Sequence, residues 1–161
     1  MMRKLTSYLV GMLALCACSS IDCPVQHTVQ SYYAIYDASQ KADTLRDTLY
    51  VFIHRAKRSD TLLLNGAVNR TLFSLPVSHA NPEDTLFFFF RNLPWQATDT
   101  VWIKKENIPH FESVDCSASY FHRITAIRCT HNAIDSITIN NSMIDYDNQR
   151  IHFHLYPKGH D

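Results

Sequence analysis

"TLFFFFRNL", residues 85–93, is the stretch that decides the fold class of this chain. Four successive phenylalanines at 87–90 put large rings on both sides of an extended segment, because neighbouring side chains of a strand point to opposite faces. "TLYVFIHR" at 48–55 has the same character. Both runs have strand length and neither approaches the roughly 20 apolar residues a spanning helix needs. They are expected to be central strands, either covered on both sides or with one row of aromatics packed under loops, and to set the core.

Outward from these runs the chain continues in the same style. "SYYAIYD", "TLLL", "TLFSLPV", "DTVWIKK", "HFESVD", "ASYFHRITAIRCT", "DSITIN" and "RIHFHLYPK" are short and rich in Val, Ile, Thr, Tyr and Phe. Alternation is plain where Ile137 and Ile139 oppose Ser136, Thr138 and Asn140, and where Ile151, Phe153 and Leu155 oppose His152, His154 and Tyr156. Turns are expected at Asn65-Gly66, in "HANPED", at Asn92 with Pro94, at Asn107 with Pro109 and in "DYDNQ". Only "DASQKAD", residues 37–43, has the makings of a helical turn. The expected fold is an all-β, immunoglobulin-like sandwich of about seven to nine strands. A closed eight-stranded β-barrel with a ligand cavity is the alternative, since strand count alone does not separate the two.

The N-terminus carries Arg3 and Lys4 before an apolar run over residues 5–17, the layout of a secretory signal. Within "LALCACSS", the order Leu15, Cys16, Ala17, Cys18 resembles a bacterial lipobox. The resemblance implies cleavage before Cys18, acylation of its thiol and its new amine, and anchoring in the outer membrane; several acyl chains make a lasting anchor where one does not. The chain is therefore divided into a signal peptide at 1–17, a lipidated tether at 18–28 and one sandwich domain at 29–161. The domain is expected to face the periplasm rather than the exterior. Cys23, Cys116 and Cys129 remain in a compartment where disulfides form. Cys23 with Cys116 is the preferred pair, closing a loop worth on the order of 4 to 5 kcal/mol in the chain-entropy treatment, and Cys129 is then a buried thiol.

Residues 112–156 carry a further resemblance. Asp115 and Cys116, the pair Tyr120 and Phe121, the run Thr130, His131, Asn132, Ile134, Asp135, Ser136 and Ile137, and the strand at 151–156 resemble an uncharacterised family of Bacteroidetes lipoproteins. The likeness extends more loosely over about 23–157. That family lends no catalytic residues, and its genes' neighbourhood implies an outer-membrane β-barrel as a partner.

Asp, then a hydroxyl residue, then an aliphatic one occurs six times. The pattern resembles the acceptor motif of protein O-glycosylation in the same bacterial group, which makes Thr44, Thr48, Thr61, Thr100, Thr85 and Ser136 the candidate acceptors. Thr44 and Thr48 flank an expected loop and come first, whereas Thr85 and Ser136 are expected to be partly shielded. Strand grammar is the competing explanation, because Asp favours turn ends and Thr favours strand starts.

Chemistry beyond this is sparse. His152 and His154, two apart on an expected strand, share a face about 7 Å apart and are the candidates for metal, with His122 or Asp147 as further donors; the expectation is no metal and no cofactor. Thr130, His131 and Asn132 are expected to fix a corner through their own backbone. Trp95, Trp102, Phe111 and Tyr120 would line a carbohydrate or peptide platform if exposed. There is no GxSxG, no HExxH and no phosphate-cradling glycine loop. With zero formal net charge the chain offers no basic field for nucleic acid. A non-enzymatic envelope module acting through protein contacts is the expected function, with a binding module for a small ligand, glycan or metal as the alternative.

Overall fold

The computed structural model describes residues 29–55 and 58–159. Among these residues ten strands form, and they make the expected two-sheet sandwich rather than a closed barrel. In chain order they are β1 (Gln30–Ile35), β2 (Thr48–Arg55), β3 (Arg58–Ala67), β4 (Leu72–Pro76), β5 (Glu83–Asn92), β6 (Trp95–His110), β7 (Ser119–Cys129), β8 (Ile134–Ile139), β9 (Met143–Ile144) and β10 (Phe153–Pro157). One sheet has the order β4-β1-β10-β8 and the other β3-β2-β5-β6-β7-β9. All neighbouring pairs are antiparallel except β1 with β10, which run parallel with Tyr33 opposite Phe153.

The period-2 pattern places the core. Inward rows carry Tyr33 and Ile35 from β1, Leu49 and Val51 from β2, Leu86, Phe88 and Phe90 from β5, and Phe153 and Leu155 from β10, all buried. Tyr33 is central, stacked on Phe73 at 4.9 Å and on Phe153 at 4.8 Å, with Phe88 edge-on at 6.1 Å. A void of about 10 Å³ near Tyr33, the size of one water, lies between the sheets.

Several local expectations fail for identifiable reasons. Asn65-Gly66 is no turn: both lie inside β3, and Gly66, at φ 67°, sits in a bulge where three steps along β3 oppose two along β2. The Tyr50 ring lies against it, with ring atoms 3.5 Å from where a Cβ would stand. Asn107 and Pro109 also lie within a strand. Beyond Lys104, β6 has left β5 behind and pairs only with β7, so Pro109 costs the ladder no hydrogen bond. "HFESVD" is loop apart from His110, and residues 37–43 form a turn closed by a bridge between Tyr36 and Ala42 instead of a helix. Ile139, at the end of β8, is exposed, and among the described residues β8 is an edge strand.

The sandwich has two ends. Val29, the 77–82 loop, the tip of the β6–β7 hairpin and the 140–152 segment lie at the end where the chain enters. The 36–47 segment, the β5–β6 turn, the 130–133 corner and residues 158–159 lie at the other.

Candidate functional site

The outward row of the six-stranded sheet is aromatic. On β5, residues 84, 86, 88 and 90 point inward, so Thr85, Phe87 and Phe89 point out; on β2, Tyr50, Phe52 and His54 do the same. Register then builds rows across the sheet. Leu62, Phe52, Phe87 and Thr100 stand in line, Tyr50 stands opposite Phe89, and Thr85, Trp102 and Arg128 form a third row. Among the described residues no further layer lies over this face, so the expectation that both rows of these strands are covered is wrong for the outer one. The rings are half-buried because they cover each other, and Leu62 at their margin is exposed.

How the rings meet decides what the face can hold. Phe52 and Phe87 stack at 5.5 Å with 18° between planes, His54 lies 4.3 Å from Phe87, and Arg128 caps Trp102 at 4.0 Å. Phe52 and Phe87 turn π-faces to each other and Arg128 covers a face of Trp102, so ring edges and Leu62 are prominent in what the surface offers. Sugar stacking needs open ring faces, whereas side chains of a protein partner pack well against edges. The rim is polar: His54 Nδ1 is 2.6 Å from Asp60, and Arg128 is 3.3 Å from Glu83. Next to it β3 is, among the described residues, an edge strand paired with β2 alone.

Buried polar groups occupy both ends of the inward row of β6. At one end Asp99, fully buried, accepts from Thr130 Oγ1 at 2.6 Å and from the amides of Asn132, Ala133 and Ile134 at 2.7 to 2.8 Å. The 130–134 corner is thus held by a carboxylate of another strand, where the sequence points to the corner's own backbone. At the other end the Lys105 side chain is fully buried, 2.7 Å from Asp84 and donating to the Asn81 carbonyl at 3.0 Å. His122 sits beside it, its Nδ1–H donated to Asn107 Oδ1 at 2.8 Å while Asn107 Nδ2 donates to the His79 carbonyl. Burial, then the charges of Lys105 and His79, hold the His122 pKa down to about 4. These contacts tie the 77–82 loop to the β6–β7 hairpin.

The remaining candidates scatter. His152 precedes β10 and is fully buried: its Nδ1 accepts from the Tyr32 amide at 3.0 Å and its Nε2–H is donated to Met143 at 3.1 Å. With that lone pair engaged it is no free ligand, so the metal candidacy of His152 with His154 fails at His152, while His154 packs on Tyr36 at 4.2 Å. No group of three or more His, Cys, Asp or Glu suited to a metal occurs among the described residues. Trp102 joins the aromatic face, but Trp95 lies at the far end, and Phe111 and Tyr120 lie at the end where the chain enters. The alternation within "FFFF" is the available signal for Phe87 and Phe89, since the row opposite Phe88 and Phe90 points away from the core.

Of the six hydroxyls, Thr85 is exposed and Thr44, Thr48, Thr61, Thr100 and Ser136 are half-buried, so the order expected for their accessibility is reversed at Thr85. The aspartates before them have partners of their own: Asp43 caps the Thr44 amide, Asp47 takes Asn92, Asp60 takes His54, Asp84 takes Lys105, and Asp99 holds the corner. Strand and turn structure accounts for those five. Cys129 is a half-buried free thiol whose pKa is raised by burial, then by Asp99 and Asp135. Cys116 lies in the 111–118 loop; Cys18 and Cys23 fall outside the described residues. A hollow of about 280 Å³ opens at the far end among Tyr36, Asp43, Asp47, Asn92 and Lys158.

No curated protein and no solved structure matches the chain. A family model does match, over residues 48–157, starting later than the expected limit near 23 and leaving out β1 although that strand is central to its sheet. The match spans more than half of the sequence, and the chain belongs to the Family of unknown function (DUF6452).

Proposed function

We propose that this chain is an outer-membrane lipoprotein, processed and acylated at Cys18, whose sandwich faces the periplasm and works as a non-enzymatic protein-interaction module of the cell envelope. The observation that carries the proposal is the uncovered aromatic row of Tyr50, Phe52, Phe87, Phe89 and Trp102 beside the edge strand β3. Its ring edges and exposed Leu62 favour a protein partner over a sugar, and His54, Asp60, Glu83 and Arg128 give the polar border usual around an apolar contact. The void between the sheets, about 10 Å³, is too small for an interior ligand. An outer-membrane β-barrel is the partner class the Bacteroidetes resemblance implies.

Two modifications complete this reading. Cys23 pairs with Cys116, which lies at the end of the sandwich where the chain arrives through Val29. Thr85, the exposed hydroxyl of the six, is the first acceptor for O-glycan, and a glycan there would border Trp102, its cross-strand partner. A second reading, a small-ligand module, rests on the hollow of about 280 Å³ at the far end.

Crosslinking and co-purification from native membranes, with intact-mass measurement, tests the proposal. A discrete stoichiometric partner, lost in the Phe52→Ser/Phe87→Ser variant, together with a lipid mass lost in Cys18→Ala, is the expected result. Retention of the partner by the face variant contradicts the interaction surface; a mass without lipid contradicts the anchor; a mass without glycan at Thr85 returns the tripeptide to strand grammar.

A further inference from the structure

The β6–β7 hairpin overhangs the rest of its sheet. The last rung between β5 and β6 is Glu83 with Lys104, yet β6 continues to His110, so its tip projects about 20 Å past β5 at 3.3 Å per residue. Its final residues pair only with β7, from Ile108 opposite Phe121 to His110 opposite Ser119. The projection is braced on both faces: His110 stacks on Phe121 at 4.3 Å and Tyr146 meets Phe121 edge-on at 4.9 Å, while His79 stacks on Tyr120 at 4.6 Å. At the tip, Phe111 is 64% exposed and Val114 is 97% exposed. Residues 107–119 contain no lysine or arginine.

The same end of the sandwich receives the chain. The Val29 carbonyl accepts from Val77, at the foot of the 77–82 loop that packs under this hairpin through Asn107 and Tyr120. Eleven residue steps separate Cys18 from Val29, a reach of at most about 40 Å; the five from Cys18 to Cys23 reach at most about 18 Å. With Cys23 bonded to Cys116, the tip would stand within that shorter distance of the acylated residue. Exposed apolar side chains held so near a bilayer have one obvious place to go.

We infer that the 111–118 tip is a second membrane contact, with Phe111 and Val114 dipping into the interface of the bilayer to which Cys18 is acylated. This rests on the lipoprotein reading proposed above. Insertion is apolar, since the tip carries Glu112 and Asp115 and no basic residue, so anionic lipid gives it no attraction and a larger share of anionic lipid does not strengthen contact. Two fastenings at one end fix the tilt of the domain, standing its strands away from the membrane and leaving the aromatic face open sideways to a neighbouring membrane protein. Leu93, 72% exposed, is as apolar but sits at the opposite end, one length of β6 away, or about 50 Å. It has the hydrophobicity without the position.

The test uses full-length, acylated protein reconstituted into phosphatidylethanolamine–phosphatidylglycerol vesicles containing acyl-brominated lipid, which quenches nearby indoles. Val114→Trp and Leu93→Trp are compared, the emission of the parent protein (Trp95 and Trp102) being subtracted from each. Both positions are exposed, so neither change disturbs the core. The expected result is loss of about half the added emission at 114 and almost none at 93, consistent with side chains buried about 5–10 Å into the boundary region. Protein that floats with the vesicles while neither position is quenched, or while both are quenched alike, overturns the tip contact and leaves the anchor standing. Protein that does not float overturns the anchor and the tip contact with it.

Discussion

Asp99 gives the sharpest test of how the fold is held. Asp99→Ala removes four accepted hydrogen bonds at 2.6 to 2.8 Å in one step. Thr130 is half-buried and Asn132 exposed, so water can take over there; Ala133 and Ile134 are fully enclosed, and their amides would be orphaned. At about 1–3 kcal/mol for each buried unsatisfied group, the two together cost about 4 kcal/mol, and the apolar methyl repays little. Asp99→Asn keeps the shape but turns an NH₂ toward amide donors, so it is expected to lose nearly as much. Asp135→Ala provides the control. It breaks the same tripeptide at an exposed aspartate and should stay within about 0.5 kcal/mol of the parent. Urea unfolding followed by tryptophan fluorescence reads both, since Trp95 and Trp102 lie on the strand that carries Asp99. An Asp99→Ala loss below about 1 kcal/mol would refute the reasoning, because the corner would then be holding itself.

Other outcomes follow from the same contacts. His122 is held at about 4 against an ordinary 6.5, so the folded state binds fewer protons than the unfolded chain between those values. Stability should be full above pH 6.5 and fall by about 2 kcal/mol toward pH 4, allowing for screening by partial hydration; burial lowers His152 and His154 in the same direction. His122→Gln should flatten that slope in thermal scans, and an unchanged slope would dismiss His122 as the cause. Asp84→Ala, which strands the enclosed Lys105 ammonium, should cost about 3–5 kcal/mol, while Asp84→Leu/Lys105→Met should lie much closer to the parent in denaturant titrations. Cys116→Ser should leave Cys23 alkylatable without reductant; equal labelling of Cys23 in both proteins would exclude the bond.

The period-2 grammar of "TLFFFFRNL" and "RIHFHLYPK" was enough to reach the sandwich, because burial on one face writes itself into alternate residues. What it left ambiguous was a strand with rings on both rows. Whether Phe87 and Phe89 are covered depends on a third layer, which no local pattern encodes. Asn65-Gly66 and Asn107 with Pro109 misled for a related reason: a positive φ serves a bulge as well as a turn, and a proline is harmless once the neighbouring strand has ended. Asp99 was legible only as part of a repeated tripeptide. Its partners lie more than thirty residues away, and a contact at that separation leaves no spacing to read. His152 differs from His154 by the same kind of distant contact, through Tyr32 and Met143.

The claim that the aromatic face of the six-stranded sheet receives a protein partner is tested most directly by position-resolved photocrosslinking in intact membranes. A photoreactive residue replaces Phe52, Phe87 or Leu62 on that face, and Thr138 on the opposite sheet serves as reference. One discrete protein adduct shared by the three face positions and missing at Thr138 is the predicted result. Adducts of equal yield at all four positions, or adducts to lipid alone, would contradict it.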